Sequence, residues 1–285
     1  MPLSVVDLYK DILPKTNCGD CGHPTCLAFA SMVVARKLPL ENCPHIEPEK
    51  LEKAKTEIDA QHKAEIWTKK DMAKDALIWA MERAASMNMA DLKHRIGATA
   101  VSHENTFALK LSYFKWQILI IPSKDNKPEN IMWTGEDIPE NELTIWEKTF
   151  LFNHMAQGGS KEPKGDWHGF EEFPNTVSKI KSMKSHVEEP LIKRFTGKLN
   201  ELKEEALNLG GLEVAKKEHS ADIAFFFRVL PKVPVMLLFW DADPNEDFPA
   251  KVKLVFDKTA PEHLDIESIM FLSERLANLL IGEKS

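Results

Sequence analysis

Leu13-Pro-Lys-Thr-Asn-Cys-Gly-Asp-Cys-Gly-His-Pro-Thr-Cys26, followed after sixteen residues by Cys43, decides how the rest of the chain is read. All four cysteines of the 285 residues lie here, at Cys18, Cys21, Cys26 and Cys43, in the pattern C-x2-C-x4-C-x16-C. Asp7, Lys10, Asp11 and Lys15 interrupt the apolar residues of the N-terminus, so no export-signal core is expected. The cytosol keeps thiols reduced, and four clustered thiols there point to metal rather than to disulfides.

Zinc is the first competitor, because structural zinc sites join two short Cys/His pairs from separate loops. Here three cysteines share one short loop and the fourth arrives alone. That three-plus-one arrangement suits a cubane, whose four iron corners each need a thiolate. The expectation is one [4Fe–4S] cluster held by Cys18, Cys21, Cys26 and Cys43, with zinc as the alternative.

The flanking residues agree with such a loop. Gly19 and Gly22 each follow a cysteine, where unusual φ/ψ values are needed. Pro24 and Thr25 mark a helix start, with Leu27, Ala30, Val33 and Val34 as its apolar stripe. Pro39 ends that helix, and an extended Leu38–Cys43 is long enough to return to the loop. Ser4 and Asp7 form a capping box for a first short helix, whose Val5, Val6, Leu8 and Ile12 would shield the site. His23 and His45 read either as solvated loop residues or as hydrogen-bonding neighbours of the cluster.

This stretch, with Glu41-Asn-Cys-Pro44, resembles the small [4Fe–4S] module at the N-terminus of the corrinoid/iron–sulfur protein large subunit. It is also similar to a module in the B subunit of the Rnf electron-transport complex. The resemblance covers about the first 46 residues and implies the same four cysteine ligands. In the first family the cluster delivers a low-potential electron to an oxidised cobalt centre.

Beyond the cysteines, residues 49–96 lack proline and glycine and are rich in Ala, Lys, Glu and Met, predicting helix with one break. A charged connecting helix is expected over 48–65, with a narrow stripe at Leu51, Ala54 and Ile58. Trp67, Ala73, Ala76, Leu77, Trp79, Ala80 and Ala84 open a larger domain over 66–285. The methionines at 72, 81, 87 and 89 read as core filling. After Gly97, alternation at Phe107, Leu109 and Leu111, then at Trp116, Ile118 and Ile120, predicts a hairpin. A short strand is expected over 131–133 and helices over 140–155, 177–186, 190–208 and 266–280. Late strands are expected over 223–230, 235–240 and 252–256. Hairpins among helices, without βαβ alternation, predict an α+β class: a small helical cluster module over 1–47, a helical linker, and a larger antiparallel-sheet-plus-helices domain.

Residues 66–285 also resemble a family of uncharacterised domains from anaerobes. The likeness rests on Arg95-Ile-Gly-Ala98, Trp167-His-Gly-Phe-Glu-Glu-Phe-Pro174, Leu209-Gly-Gly-Leu212, Asp222, Pro231-Lys-Val-Pro-Val235, Phe239-Trp-Asp241, Phe248-Pro-Ala250 and Leu254-Val-Phe-Asp257. It implies a fold and no chemistry.

Three constellations there invite a site. Asp241, Asp243, Asn245, Glu246 and Asp247 begin like a calcium loop, but Glu246 and Val252 stand where glycine and a bidentate glutamate belong, so an acidic turn is expected. Asp166 and His168 fit part of a D-x-H-x-x-G cobalamin pattern, yet Glu171 occupies the glycine position, so a tight turn exposing aromatic residues is expected instead. His219 with Asp222 and Arg228 reads as a structural hydrogen-bonding pair, since no nucleophile is near.

Composition narrows the function. Apolar residues make up 43% and charged residues 28%, and 37 Lys and Arg against 44 Asp and Glu give a net charge of −7. A basic surface for nucleic acid is therefore not expected. The longest apolar run, Val233–Trp240, is far short of the ~20 residues of a membrane span. The expectation is a cytoplasmic iron–sulfur protein that exchanges single electrons and is a carrier rather than a catalyst. Its partner would be a ferredoxin-like donor or a corrinoid protein. A cluster-dependent enzyme with a substrate pocket in the large domain, and an oxygen- or iron-sensing interaction protein, are the alternatives.

Overall fold

Two hydrophobic cores form, one in each of the units Met1–Met72 and Ala73–Ser285. The computed structural model describes residues 3, 5–34, 38–63, 72–243 and 248–282. Ser4, Trp67, Asn245, Glu246 and Asp247, singled out from the sequence, lie outside the described residues.

In the first unit a helical turn, Val5–Asp7, runs into a wider one, Leu8–Ile12, where Leu13 N–H donates to the Leu8 carbonyl at 2.9 Å. Helix α1, Cys26–Val34, buries Cys26, Phe29, Ala30 and Val33. That is the i, i+3, i+4, i+7 stripe of an amphipathic helix. Leu27, expected on the stripe, is 46% exposed because the helical step turns it away and Phe29 faces inward instead. Helix α2, Pro48–Lys63, buries Ala54 and Ile58 in the same core as Leu8, Leu13, Leu40 and Ile46. Lys55 also pairs with Glu41, so α2 is packed onto this unit rather than standing free as a connector.

The second unit opens with α3, Met72–Ala84, and α4, Met89–Arg95, the latter capped where Asn88 Oδ1 accepts from Ala90 N–H at 2.9 Å. A four-stranded antiparallel sheet follows: β1 Thr99–His103, β2 Thr106–Tyr113, β3 Trp116–Pro122 and β4 Pro128–Thr134, in that order. The predicted hairpin is β2–β3, with Leu109 opposite Ile120 and Leu111 opposite Ile118. Helix α5, Ile145–Gln157, starts at a capping box in which Thr144 Oγ1 accepts from Glu147 N–H and Glu147 Oε2 accepts from Thr144 N–H.

Strand β5, Trp167–Gly169, then forms one edge of a second sheet. A helical run over 180–195 ends in α6, Glu189–Phe195, and α7, Leu199–Asn208, follows. The remaining strands are β6 Leu212–Glu213, β7 Ile223–Leu230, β8 Val233–Trp240 and β9 Lys251–Asp257, giving the antiparallel order β5-β9-β8-β7-β6. A short helix, α8 Ala260–His263, leads to α9, Ile266–Ile281, which is capped by Asp265 and stopped by left-handed Gly282.

The α+β class is the architecture observed. Strands β7 and β8 read as near-continuous apolar runs because one face of each is fully buried and the other is partly covered. The expected tight turn at Trp167–Gly169 is instead an edge strand, its register fixed by Trp167 opposite Asp257 and Gly169 opposite Val255. Glu147, 1% exposed, sits inside the unit and accepts from the Tyr113 hydroxyl at 2.9 Å and from Arg275 Nε at 2.8 Å. This joins β2, α5 and α9 through one satisfied buried charge, whose truncation costs about 3–5 kcal/mol in comparable interiors.

His154 on α5 is fully buried, and its Nδ1 donates to the His263 carbonyl at 3.0 Å. Burial pulls its pKa down from 6.5 to about 4. The unfolded chain therefore binds a proton that the folded one refuses, and this stability, intact above pH 6.5, is lost as the pH falls toward 4. His263, also lowered chiefly by burial, acts in the same direction. Between pH 7 and 4 the larger unit is expected to lose on the order of 3 kcal/mol through His154. Urea unfolding followed by tryptophan fluorescence reads chiefly this unit, because six of the seven tryptophans lie in Ala73–Ser285. A shallower pH dependence is expected in His154→Gln.

Candidate metal centre

Backbone conformation shapes the cysteine loop before any side chain does. Gly19 and Gly22 have φ of 82° and 81°, and Gly22 N–H donates to the Gly19 carbonyl at 2.8 Å, closing a tight turn around Asp20 and Cys21. These are the two positions where glycine was expected, and a side chain there would have to accept left-handed strain. Asn17, also left-handed at φ 51°, accepts the Cys26 N–H on its Oδ1 at 2.8 Å. Thr25 Oγ1 accepts from Ala28 N–H at 3.1 Å. Two otherwise orphan donors at the start of α1 are thereby satisfied, and Cys26 is fixed to the segment that carries Cys18.

The fourth cysteine arrives through a 3-10 turn, Leu40–Asn42, after Pro39. Cys43 is 6% and Cys26 5% exposed, and both share the core formed by Leu8, Leu13, Phe29 and Leu40. Cys21 is half-buried and Cys18 exposed. Burial pushes the Cys43 thiol up, and the charges of Cys21, Cys26 and Cys18 add to the rise. The other three cysteines thus lie within electrostatic reach of Cys43.

Around the exposed corner, His45 Nε2 donates to Asp20 Oδ2 at 2.6 Å, joining the Cys18–Cys21 turn to the segment after Cys43. Hydrogen bonds from His45 and then from Cys18 hold the Asp20 carboxyl below its usual range. Donor atoms of Cys18, Asp20 and His45 lie within 4.8 Å of one another. Among the described residues no three cysteine sulfurs form so compact a group. His23 instead packs its ring 6.1 Å from that of Phe29. Neither Asn17 nor Asp20 was singled out from the sequence. An Asn immediately before the first cysteine, nine residues ahead of a helix start, is the signal that pointed to the cap.

The other constellations resolve into structure. Both ring nitrogens of His168 are engaged, Nδ1 with Glu172 at 2.9 Å and Nε2 with Asp166 at 3.2 Å, which leaves neither for a cobalt ion. His219 Nε2 contacts the Val214 carbonyl at 3.2 Å, so its expected pairing with Asp222 is replaced by a backbone partner. Asp222 instead accepts from Asp241 N–H at 2.8 Å. Asp241 Oδ1 accepts from the Gly197 and Ala242 N–H groups, committing it to the turn. A cleft of about 520 Å³ lies in the larger unit, lined by Ala76, Trp79, Trp146, Asn153, Asp265 and Phe271 among others.

The Asn17 cap carries a direct test. Asn17→Gly keeps the left-handed backbone but removes the acceptor, and losing that hydrogen bond costs about 1 kcal/mol. Roughly fivefold faster amide exchange at the start of α1 is expected by hydrogen–deuterium exchange. Asn17→Ala adds backbone strain and is expected to exchange faster still.

Comparison with known proteins places both units. Residues 13–45, which contain all four cysteines, match the family described as "Putative Fe-S cluster". The corrinoid/iron–sulfur protein large subunit of Moorella thermoacetica is 52% identical over 46 residues, 16% of this chain and 10% of that protein. The acetyl-CoA decarbonylase/synthase complex subunit gamma of Methanocaldococcus jannaschii is 43% identical over 56 residues, 20% of this chain and 11% of its own length. Subunit gamma 2 of the same complex from Methanosarcina mazei is 36% identical over 112 residues, 39% of this chain and 21% of its own. The chain thus spans between about a tenth and a fifth of the length of these curated relatives. No solved structure matches. Residues 88–279, well over half of the chain, match the Domain of unknown function (DUF3786) family, and the chain belongs to that family.

Proposed function

We propose that Cys18, Cys21, Cys26 and Cys43 hold one [4Fe–4S] cluster, and that the chain is a cytoplasmic one-electron carrier. The observation that carries this reading is the three-plus-one cysteine set, with two members sunk in a small core and two at its surface. Four thiols, two of them buried, suit iron–sulfur ligation. Zinc fits less well, because structural zinc sites join two short Cys/His pairs from separate loops, whereas here three thiols share one loop and the fourth arrives alone. When bound, such a cluster supplies single-electron redox chemistry. Cys26 and Cys43 would keep water from two corners, while Cys18 would face solvent and a partner.

In this reading residues 1–47 are the cluster module, 48–65 the charged connecting segment, and 66–285 the domain that meets the redox partner. The relatives named for corrinoid and acetyl-CoA decarbonylase/synthase proteins support a place in corrinoid or methyl-transfer metabolism. A ferredoxin-like donor or a corrinoid protein is the partner proposed. A cluster-dependent enzyme is the second reading, favoured by the Trp79–Trp146 cleft. A spectral change of the reduced protein on adding a metabolite would separate it from a carrier.

Anaerobic reconstitution of the full chain is expected to give about four iron and four acid-labile sulfides per chain, with a one-electron paramagnetic signal on reduction. Cys43→Ser is expected to lose most of the iron and the cubane signal. Stoichiometric zinc without sulfide would overturn the reading.

A further inference from the structure

The pair His45–Asp20 is unusual in its placement. Asp20 sits between the first two cysteines and His45 two residues after the fourth, so the 2.6 Å bond spans 25 residues of sequence at the exposed corner of the set. The Cys18 sulfur lies within 4.8 Å of both the Asp20 carboxylate and the His45 ring. Ligation of metal by Cys18 requires its thiol to lose its proton, which leaves a carboxylate beside a thiolate. His45 is then the neighbour that donates to Asp20 and offsets the crowding of negative charge. Both side chains are about half exposed, so they are open to solvent and to a partner.

We infer that Asp20 and His45 form an opposed pair that sets the reduction potential of a cluster at Cys18, the carboxylate lowering it and the imidazole raising it. This rests on the proposed cluster ligation. Reduction adds negative charge to a cluster, so a nearby carboxylate disfavours it, and hydrogen bonds and local charge tune such potentials. Asp20 and His45 are positioning residues in this scheme, acting through the Cys18 corner without binding iron. A purely structural clasp would behave differently, since breaking it from either side would loosen the same loop and move the potential the same way.

The test is electrochemical potentiometry, followed by electron paramagnetic resonance, on the anaerobically reconstituted full chain at pH 7 and fixed ionic strength. Asp20→Asn is expected to shift the potential upward and His45→Ala downward. The double variant D20N/H45A is expected to return near the parent value. His45→Gln, which keeps an N–H donor, is expected to fall between parent and H45A and covers the case in which H45A fails to hold iron. Shifts of the same sign in both single variants, or no shift in either while iron and sulfide stay at parent levels, would overturn the inference. Failure of the parent chain to take up sulfide would instead overturn the ligation reading on which it rests.

Discussion

Left-handed backbone at Asn17, Gly19 and Gly22 is the constraint from which the small unit is built. Such a run cannot be helix or strand, and it folds the chain back on itself within a few residues. The reversal lets Asn17 reach the N–H of Cys26 and start α1 in a fixed direction. Helix α1 then carries Phe29, Ala30 and Val33 into the core that also receives Cys43 and, from α2, Ala54 and Ile58. One local backbone choice therefore places three cysteines on a loop and prepares the wall against which the fourth is buried. A unit this small has little apolar surface, and each of these contacts counts for more than it would in the larger unit.

The larger unit follows a different logic. Its core buries one whole face of β7 and β8 and part of the other, and it pins α5 and α9 through Glu147, Arg275 and Tyr113. The polar residues that looked like chemistry from sequence are consumed by this architecture. Asp241 ties a turn, His168 is held between two carboxylates, and His219 meets a carbonyl. In the cleft beside Trp79 and Trp146, aromatic surface and buried polar groups such as Asn153 meet solvent. The division of labour proposed here, redox chemistry in the first unit and recognition in the second, follows from that contrast.

Much of this was legible in one dimension because the responsible forces are local. The C-x2-C-x4-C-x16-C spacing, the glycines after cysteines, the alternation in β2 and β3, and the apolar-rich runs of β7 to β9 are all properties of short windows. Residues 223–230 were expected as a strand and are one, with the Ile223, Phe225, Phe227 and Val229 face fully buried. By contrast, β1, β5 and β6 carry little apolar alternation of their own, and each is a strand only because a neighbour offers it a ladder.

The amino-acid order by itself determined the α+β class, the thiol quartet and the position of the helix that follows it, because periodicity, turn residues and spacing act over a few positions. Only the tertiary structure decided that Phe29 rather than Leu27 faces inward, that Asn17 caps α1, and that Asp20 meets His45 across 25 residues. Those outcomes depend on which segments are brought together in space. The free energy that brings them together is apolar burial summed over distant residues, which no short window of sequence contains.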